Sequence, residues 1–141
     1  MVGPSKNLSW SELSCKDGTP YPDEYRLDGT VVNLSFVFEQ IRTVCGNRII
    51  KIHSAYRSKK HNTSIRGAKN SQHVLGKALD LAPPKGYTVK KFYDLIKTLA
   101  QTNVNEIGGI GLYPTFVHID IRKRVNGKIT YWKGSGVKDA L

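Results

Sequence analysis

The chain has only two cysteines, Cys15 and Cys45, in 141 residues. They lie far apart and form no zinc-ligand pair of their own. Two readings stay open for them: one disulfide, which would suit an oxidising compartment, or two unrelated buried thiols. Long apolar runs are also missing, and nothing approaches the ~20 residues of a membrane span. Residues 1–6 lead into polar and aromatic positions rather than an apolar core, so no secretory signal is expected. Acidic residues are scarce, 11 against 22 Lys and Arg, which leaves a net charge of +11. That balance favours polyanionic partners. The basic residues are spread along the chain in small clusters (Lys59-Lys60, Lys90-Lys91, Arg122-Lys123-Arg124). Without a basic tail or an RNA-binding signature, nucleic acid ranks last among the polyanions, behind teichoic acids and the carboxylates of peptidoglycan.

An apolar fraction of 39% and a charged fraction of 23% belong to a globular chain. Its length suits one domain with a real core, here residues 1–141, and a monomer is expected. Ser9 and Glu12 form a capping box, with Leu8 and Leu13 as its hydrophobic staple, so a short helix starts there. Residues 17–23 are rich in turn formers. Val31, Leu34, Val37, Phe38, Ile41 and Val44 recur at helical spacing, ended by Gly46-Asn47. Residues 49–56 read as a strand, and the polar stretch 57–72 as an irregular loop. Residues 77–81 form a short strand, and Thr88 caps a second helix carrying Val89, Phe92, Leu95, Ile96 and Leu99. Gly108 to Tyr113 leads to a strand over 116–121, and Asn126-Gly127 marks a last hairpin. Helices and strands alternate irregularly with short strand links. The expected class is α+β, a small, mostly antiparallel central sheet flanked by helices.

His73, Asp80 and His118 are candidate ligands of one metal ion. Two imidazoles and a carboxylate suit Zn²⁺ and leave a fourth position open for water. Asp80 alternates with Ala78, and His118 with Asp120, so each pair shares a strand face. Taken singly, each has a plainer reading: a packing histidine, a loop-end cap, or an ion-pair partner of Arg122 for Asp120. His53 and His61 are not needed as ligands.

The flanking residues raise the signal. Ser54-Ala55-Tyr56-Arg57-Ser58 is followed by Ser71-Gln72-His73-Val74-Leu75-Gly76-Lys77-Ala78-Leu79-Asp80. Then come Gly108-Gly109-Ile110-Gly111-Leu112-Tyr113 and Phe116-Val117-His118-Ile119-Asp120. In this order they resemble the zinc D-Ala-D-Ala carboxypeptidase family of murein peptidases, closest to its compact phage and bacterial endopeptidase members. The resemblance covers roughly residues 8 to 122. It implies a fold shared with lysostaphin-type peptidases and the hedgehog signalling domain. It also implies one Zn²⁺ on His73, Asp80 and His118, and hydrolysis of peptidoglycan peptides by a metal-activated water. Arg57 resembles the family arginine that contacts the substrate carbonyl or carboxylate, and Ser71, with Gln72 and Tyr56 beside it in these motifs, lies where substrate binds.

One position departs from the pattern. Many relatives carry an acidic general base three residues before the last ligand, where this chain has Thr115. Asp120 is the nearest acid and is expected to act as base or as a partner orienting an imidazole; Glu106 is a weaker candidate. The rival to an enzyme is a non-catalytic zinc domain that binds cell wall or a partner protein. Residues 59–70 and 123–133 are expected to close the ends of the cleft and so to set whether the activity is carboxypeptidase or endopeptidase. The basic surface and the absence of a leader suit an enzyme made in the cytoplasm and acting on the wall from the periplasm or outside, as a phage lysis or virion enzyme does.

Overall fold

The computed structural model describes residues 3–137. Their elements are α1 (Trp10–Leu13), α2 (Asp23–Leu27), α3 (Thr30–Val44), β1 (Ile52–Ser54), α4 (Lys59–Ser64), β2 (Ala78–Leu81), α5 (Val89–Thr102), β3 (Gly109–Leu112), β4 (Val117–Asp120) and β5 (Thr130–Lys133). The strands form one sheet in the order β1-β2-β4-β3-β5. All neighbours are antiparallel except β3 and β5, which run parallel. The fold is α+β, as the irregular alternation implies.

The period-two pattern of the central strands sorts their side chains. Leu79, Leu81, Val117, Ile119, Ile110 and Leu112 are buried in the core with Leu34, Phe38 and Ile41 of α3 and Phe92, Ile96 and Leu99 of α5. Each such side chain contributes about 1.5–3 kcal/mol when fully buried, so this layer anchors the sheet. The alternate positions, Ala78, Asp80, His118, Asp120, Gly109 and Gly111, take the opposite face. Register places Asp80 beside His118 and Ala78 beside Asp120, while on the other side Gly111 faces His118 and Gly109 faces Asp120.

Local signals hold at several places. Ser9 and Glu12 make the full capping box on α1, and the Thr88 hydroxyl caps α5. Asn126 and Gly127 both take positive φ, 52° and 73°, the signature of a type I′ turn. That turn closes a single bridge between Val125 and Lys128 rather than a paired hairpin, and β5 then returns alongside β3.

Four expectations need correcting. The stretch 57–72 contains α4, capped by Ser58, whose hydroxyl accepts from the His61 N–H. Asp23 begins a short helix inside the region of turn formers. Residues 49–56 yield only three strand residues, because β1 is an edge strand whose register breaks between Ile52 and Ser54, and Ile49 is 81% exposed. Val44 lies at the solvent side of the α3 C-terminus, outside the core.

Candidate metal centre

His73 and Asp80 come together through a turn. The Gly76 N–H donates to the His73 carbonyl and the Lys77 N–H to that of Gln72, reversing the chain into β2. Gly76 has φ +69°, and a Cβ there would lie 2.6 Å from the Tyr25 ring. Its carbonyl accepts from the Tyr21 hydroxyl at 2.8 Å. Only glycine satisfies both the left-handed backbone and the close aromatic neighbour. The adjacent strand β4 then delivers His118 to the same point by cross-strand register.

The three side chains converge on one oxygen. His73 Nε2 lies 3.0 Å and His118 Nδ1 2.9 Å from Asp80 Oδ1. All three residues are buried, and their donor atoms could hold one metal ion. The outward nitrogens are engaged elsewhere. His73 Nδ1 donates to the Ala55 carbonyl at 2.6 Å, and His118 Nε2 to Asp120 Oδ2 at 2.7 Å. With a metal ion in place of the inward protons, these bonds would leave a lone pair turned inward on each ring.

The electrostatics suit a cation. Burial raises the Asp80 carboxyl, but bonds from His118 and His73 outweigh it and hold the group well below the usual carboxylate range. Burial lowers His73 and favours its neutral, ligating form. Burial works the same way on His118, yet the Asp120 and Asp80 carboxylates outweigh it and raise the imidazole. With two carboxylates across His118, a metal ion can take the place of that proton's charge. The donor chemistry and the geometry therefore fit a zinc-class ion.

Arg57 borders this centre. Its Nη2 lies 3.3 Å from Asp80 Oδ2, while Nε donates to Ser54 Oγ and Nη1 to Asn62 Oδ1. Asn62 is itself tied to the Ala68 carbonyl, so α4, absent from the sequence expectation, positions the guanidinium. A cavity of about 490 Å³ opens over the centre, lined by Arg57, Ser71, Gln72, His73, Asp80, His118 and a wall of Tyr113, Phe116 and Trp132. Ser71 Oγ accepts from the His73 N–H, and Gln72 turns a buried Oε1 with no hydrogen-bond partner among the described residues.

Two expected site residues fall elsewhere. Tyr56 packs edge-on against Tyr21 at 6.2 Å and does not line the cavity. Asp120 is fully buried and lies behind His118. Its Oδ1 accepts from the Arg122 N–H and Nε, and its Oδ2 from Arg122 Nη2 as well as His118. Burial raises this carboxyl, but those bonds outweigh it and hold the group down at about 2. A general base must reach the proton it takes. Asp120 does not line the cavity, and its bonds to His118 and Arg122 are those of an orienting partner. Thr115 and Glu106 are exposed and also lie away from the cavity. Among the described residues, Asp80 is the one carboxylate lining it.

The aromatic wall was not foreseen. Tyr113 and Phe116 stack at 4.5 Å, and the Trp132 ring lies 5.0 Å from His118, with its Nε1 donating to the Tyr113 hydroxyl. The Arg122 guanidinium sits over the same ring. The signal available in sequence was the pairing of small with large: a Cβ on Gly111 would lie 2.5 Å from Trp132 Nε1. That neighbour is invisible until the parallel β3–β5 pairing is known.

A small α+β sheet carrying a buried His-Asp-His cluster beneath an open cleft defines a metallohydrolase-like centre. Comparison with known proteins makes the assignment specific. The family model described as Peptidase M15 matches residues 6–120, and the chain belongs to that family. It is also similar to a probable peptidoglycan L,D-endopeptidase, MepK, of Haemophilus influenzae, with 34% identity over 105 residues. The match takes in 72% of this chain and 47% of the relative, so the chain spans about half the length of the curated protein it matches.

Proposed function

We propose that this chain is a zinc-dependent peptidase that hydrolyses peptide cross-links of bacterial peptidoglycan, as an endopeptidase rather than a carboxypeptidase. The carrying observation is the convergence of His73 Nε2 and His118 Nδ1 on Asp80 Oδ1, with each outward nitrogen already engaged. Membership of a peptidase family supports the reaction class. The similarity to a probable peptidoglycan endopeptidase supports the substrate and the internal bond.

A zinc ion bound by the triad supplies a water of lowered pKa and a Lewis acid for the scissile carbonyl. The chain's own residues do the rest. The Ala55 carbonyl and Asp120 hold the two imidazoles in their ligating orientation. Arg57, with its charge at the cavity edge, donates to the oxygen that becomes negative as the carbonyl is attacked. Gln72 Oε1 accepts an N–H of the bound peptide, and Ser71 supports the backbone of His73. Tyr113, Phe116 and Trp132 give the substrate an apolar wall. The net charge of +11 favours attraction to anionic wall polymers, which supports work at the cell wall and suits a phage lysis enzyme.

A second reading, a zinc domain that binds wall or a partner protein without cutting, draws support from one observation. No carboxylate other than Asp80 lines the cavity among the described residues. Digestion of purified murein, with products identified by mass spectrometry, separates the two. The proposed activity converts cross-linked muropeptides to monomers, stops when a chelator strips the metal, and returns with Zn²⁺. Release of single D-alanine would replace the endopeptidase by a carboxypeptidase. Intact murein in the presence of zinc-loaded protein would favour the binding domain.

A further inference from the structure

A second set of ligand-type side chains lies outside the cleft. Cys15 and Asp17 come from the turn after α1, and His61 from α4. The Cys15 thiol, an Asp17 carboxylate oxygen and a His61 ring nitrogen all lie within 4.8 Å of one another. The geometry points to a second metal site, specific for a thiophilic divalent ion of the zinc class, that clamps the N-terminal turn to α4. It goes beyond the peptidase reading, since none of its residues belongs to the catalytic cleft.

The donors are of the right kind. One thiolate, one imidazole and one carboxylate suit Zn²⁺ or Co²⁺ and disfavour Mg²⁺ and Ca²⁺, which take all-oxygen sites. Bonds of about 2.3 Å to sulfur and about 2.0–2.2 Å to nitrogen and oxygen let one ion touch all three after a small side-chain adjustment, with water in the fourth position.

The surroundings are already built. The turn is closed by the Cys15 N–H donating to the Thr19 carbonyl at 2.8 Å and the Gly18 N–H to that of Cys15 at 3.0 Å. The Ser58 N–H points at Cys15 Sγ at 3.5 Å, an amide–sulfur contact of the kind that supports a metal-bound thiolate. The Ser58 hydroxyl donates to Asp17 Oδ2 at 2.6 Å, and the Thr19 N–H to Oδ1 at 2.9 Å. These bonds orient the carboxylate and keep it ionised well below its ordinary range. The His61 ring makes no hydrogen bond or ion pair among the described residues, so both nitrogens are available. Cys15 is 4% exposed, while Asp17 is exposed and His61 half-buried, so an ion can enter from solvent without unfolding the turn.

The position gives the site a consequence. Ser58, which touches both Cys15 and Asp17, directly follows Arg57 and caps the helix whose Asn62 holds the Arg57 guanidinium. A bound ion stiffens the segment that carries Arg57 without touching substrate.

Cobalt separates the two centres, because the His73–Asp80–His118 centre contains no sulfur. The full chain, reduced and stripped of metal, is titrated with Co²⁺. A thiolate-to-cobalt charge-transfer band in the near ultraviolet is expected to saturate with a second equivalent of metal. The band is expected to survive in Cys45→Ser and His73→Ala, to vanish in Cys15→Ser, and to need roughly tenfold or more cobalt in His61→Ala and Asp17→Asn. The last two alter half-buried and exposed positions, so folding does not decide the result. No thiolate band at saturating cobalt, or a band unchanged in both His61→Ala and Asp17→Asn, overturns the site. Loss of one equivalent of bound cobalt in His73→Ala, with the thiolate band retained, reports on the peptidase centre alone, so failure of one reading is distinguishable from failure of the other.

Discussion

Replacing Asp120 by asparagine separates two roles that a carboxylate beside a metal ligand can play. The side chain is fully buried and takes hydrogen bonds at 2.7 Å from His118 Nε2, 2.8 Å from Arg122 Nε and 2.7 Å from Arg122 Nη2. Asparagine keeps one oxygen for the His118 N–H but loses the charge that makes the imidazole a strong ligand and that pairs Arg122. Loss of such an orienting partner costs about 10- to 100-fold in metal affinity, or roughly 1.4–2.8 kcal/mol. Removing a general base instead costs about 10²- to 10⁴-fold in rate and leaves metal affinity alone. Zinc affinity is measured by competition with a chromophoric chelator, and kcat on a defined cross-linked muropeptide at saturating zinc. The expected outcome is weaker zinc binding with most of kcat recovered when zinc is in excess. Unchanged affinity together with a kcat loss beyond about 100-fold would refute the positioning role and return Asp120 to the base.

Three further outcomes follow from the same structure. Arg57→Lys keeps the charge but not the fork that spans Ser54, Asn62 and Asp80, so kcat should fall by about 10²- to 10³-fold while zinc content, measured by elemental analysis, stays unchanged. Gly111→Ala places a methyl 2.5 Å from Trp132 Nε1; the ring must move, with a loss of about 1–3 kcal/mol in stability, a shifted tryptophan emission and a raised KM. Glu39 is held below its ordinary range: burial raises it, but the Ser5 hydroxyl and Asn7 outweigh that. A depressed folded pKa means this stabilisation is present above the unfolded value of about 4.3 and is lost as pH falls through the folded one. Glu39→Gln should therefore cost about 1 kcal/mol at pH 7 after solvent screening and much less at pH 3, read as the difference in urea midpoint from the parent chain.

Much of the site was legible because its signals are local or periodic. The alternation of Ala78 with Asp80 and of His118 with Asp120 placed each pair on one face, and the sheet keeps that alternation. The capping box at Ser9 and the cap at Thr88 depend on residues three apart, and both form as read. Helix α4 was not legible: its residues, Lys59 to Ser64, are polar and carry no apolar stripe. What holds it is the Ser58 cap and the burial of Asn62 against Arg57 and Ala68, contacts made with chain outside the helix.

By itself the sequence determined the candidate ligands, the strand faces they occupy and the family whose motifs they follow, since each depends on residue identity and short spacing. Only the tertiary structure decided which nitrogen of each histidine faces inward, because that depends on Ala55 and Asp120 standing at the outer nitrogens. It also decided that Asp120 lies behind His118 rather than before it, that Trp132 walls the cleft through a parallel pairing two strands away in sequence, and that Cys15, Asp17 and His61 meet at all. Each of these is a contact between segments far apart along the chain. Packing of the shared core sets their distances, and no local rule carries that information.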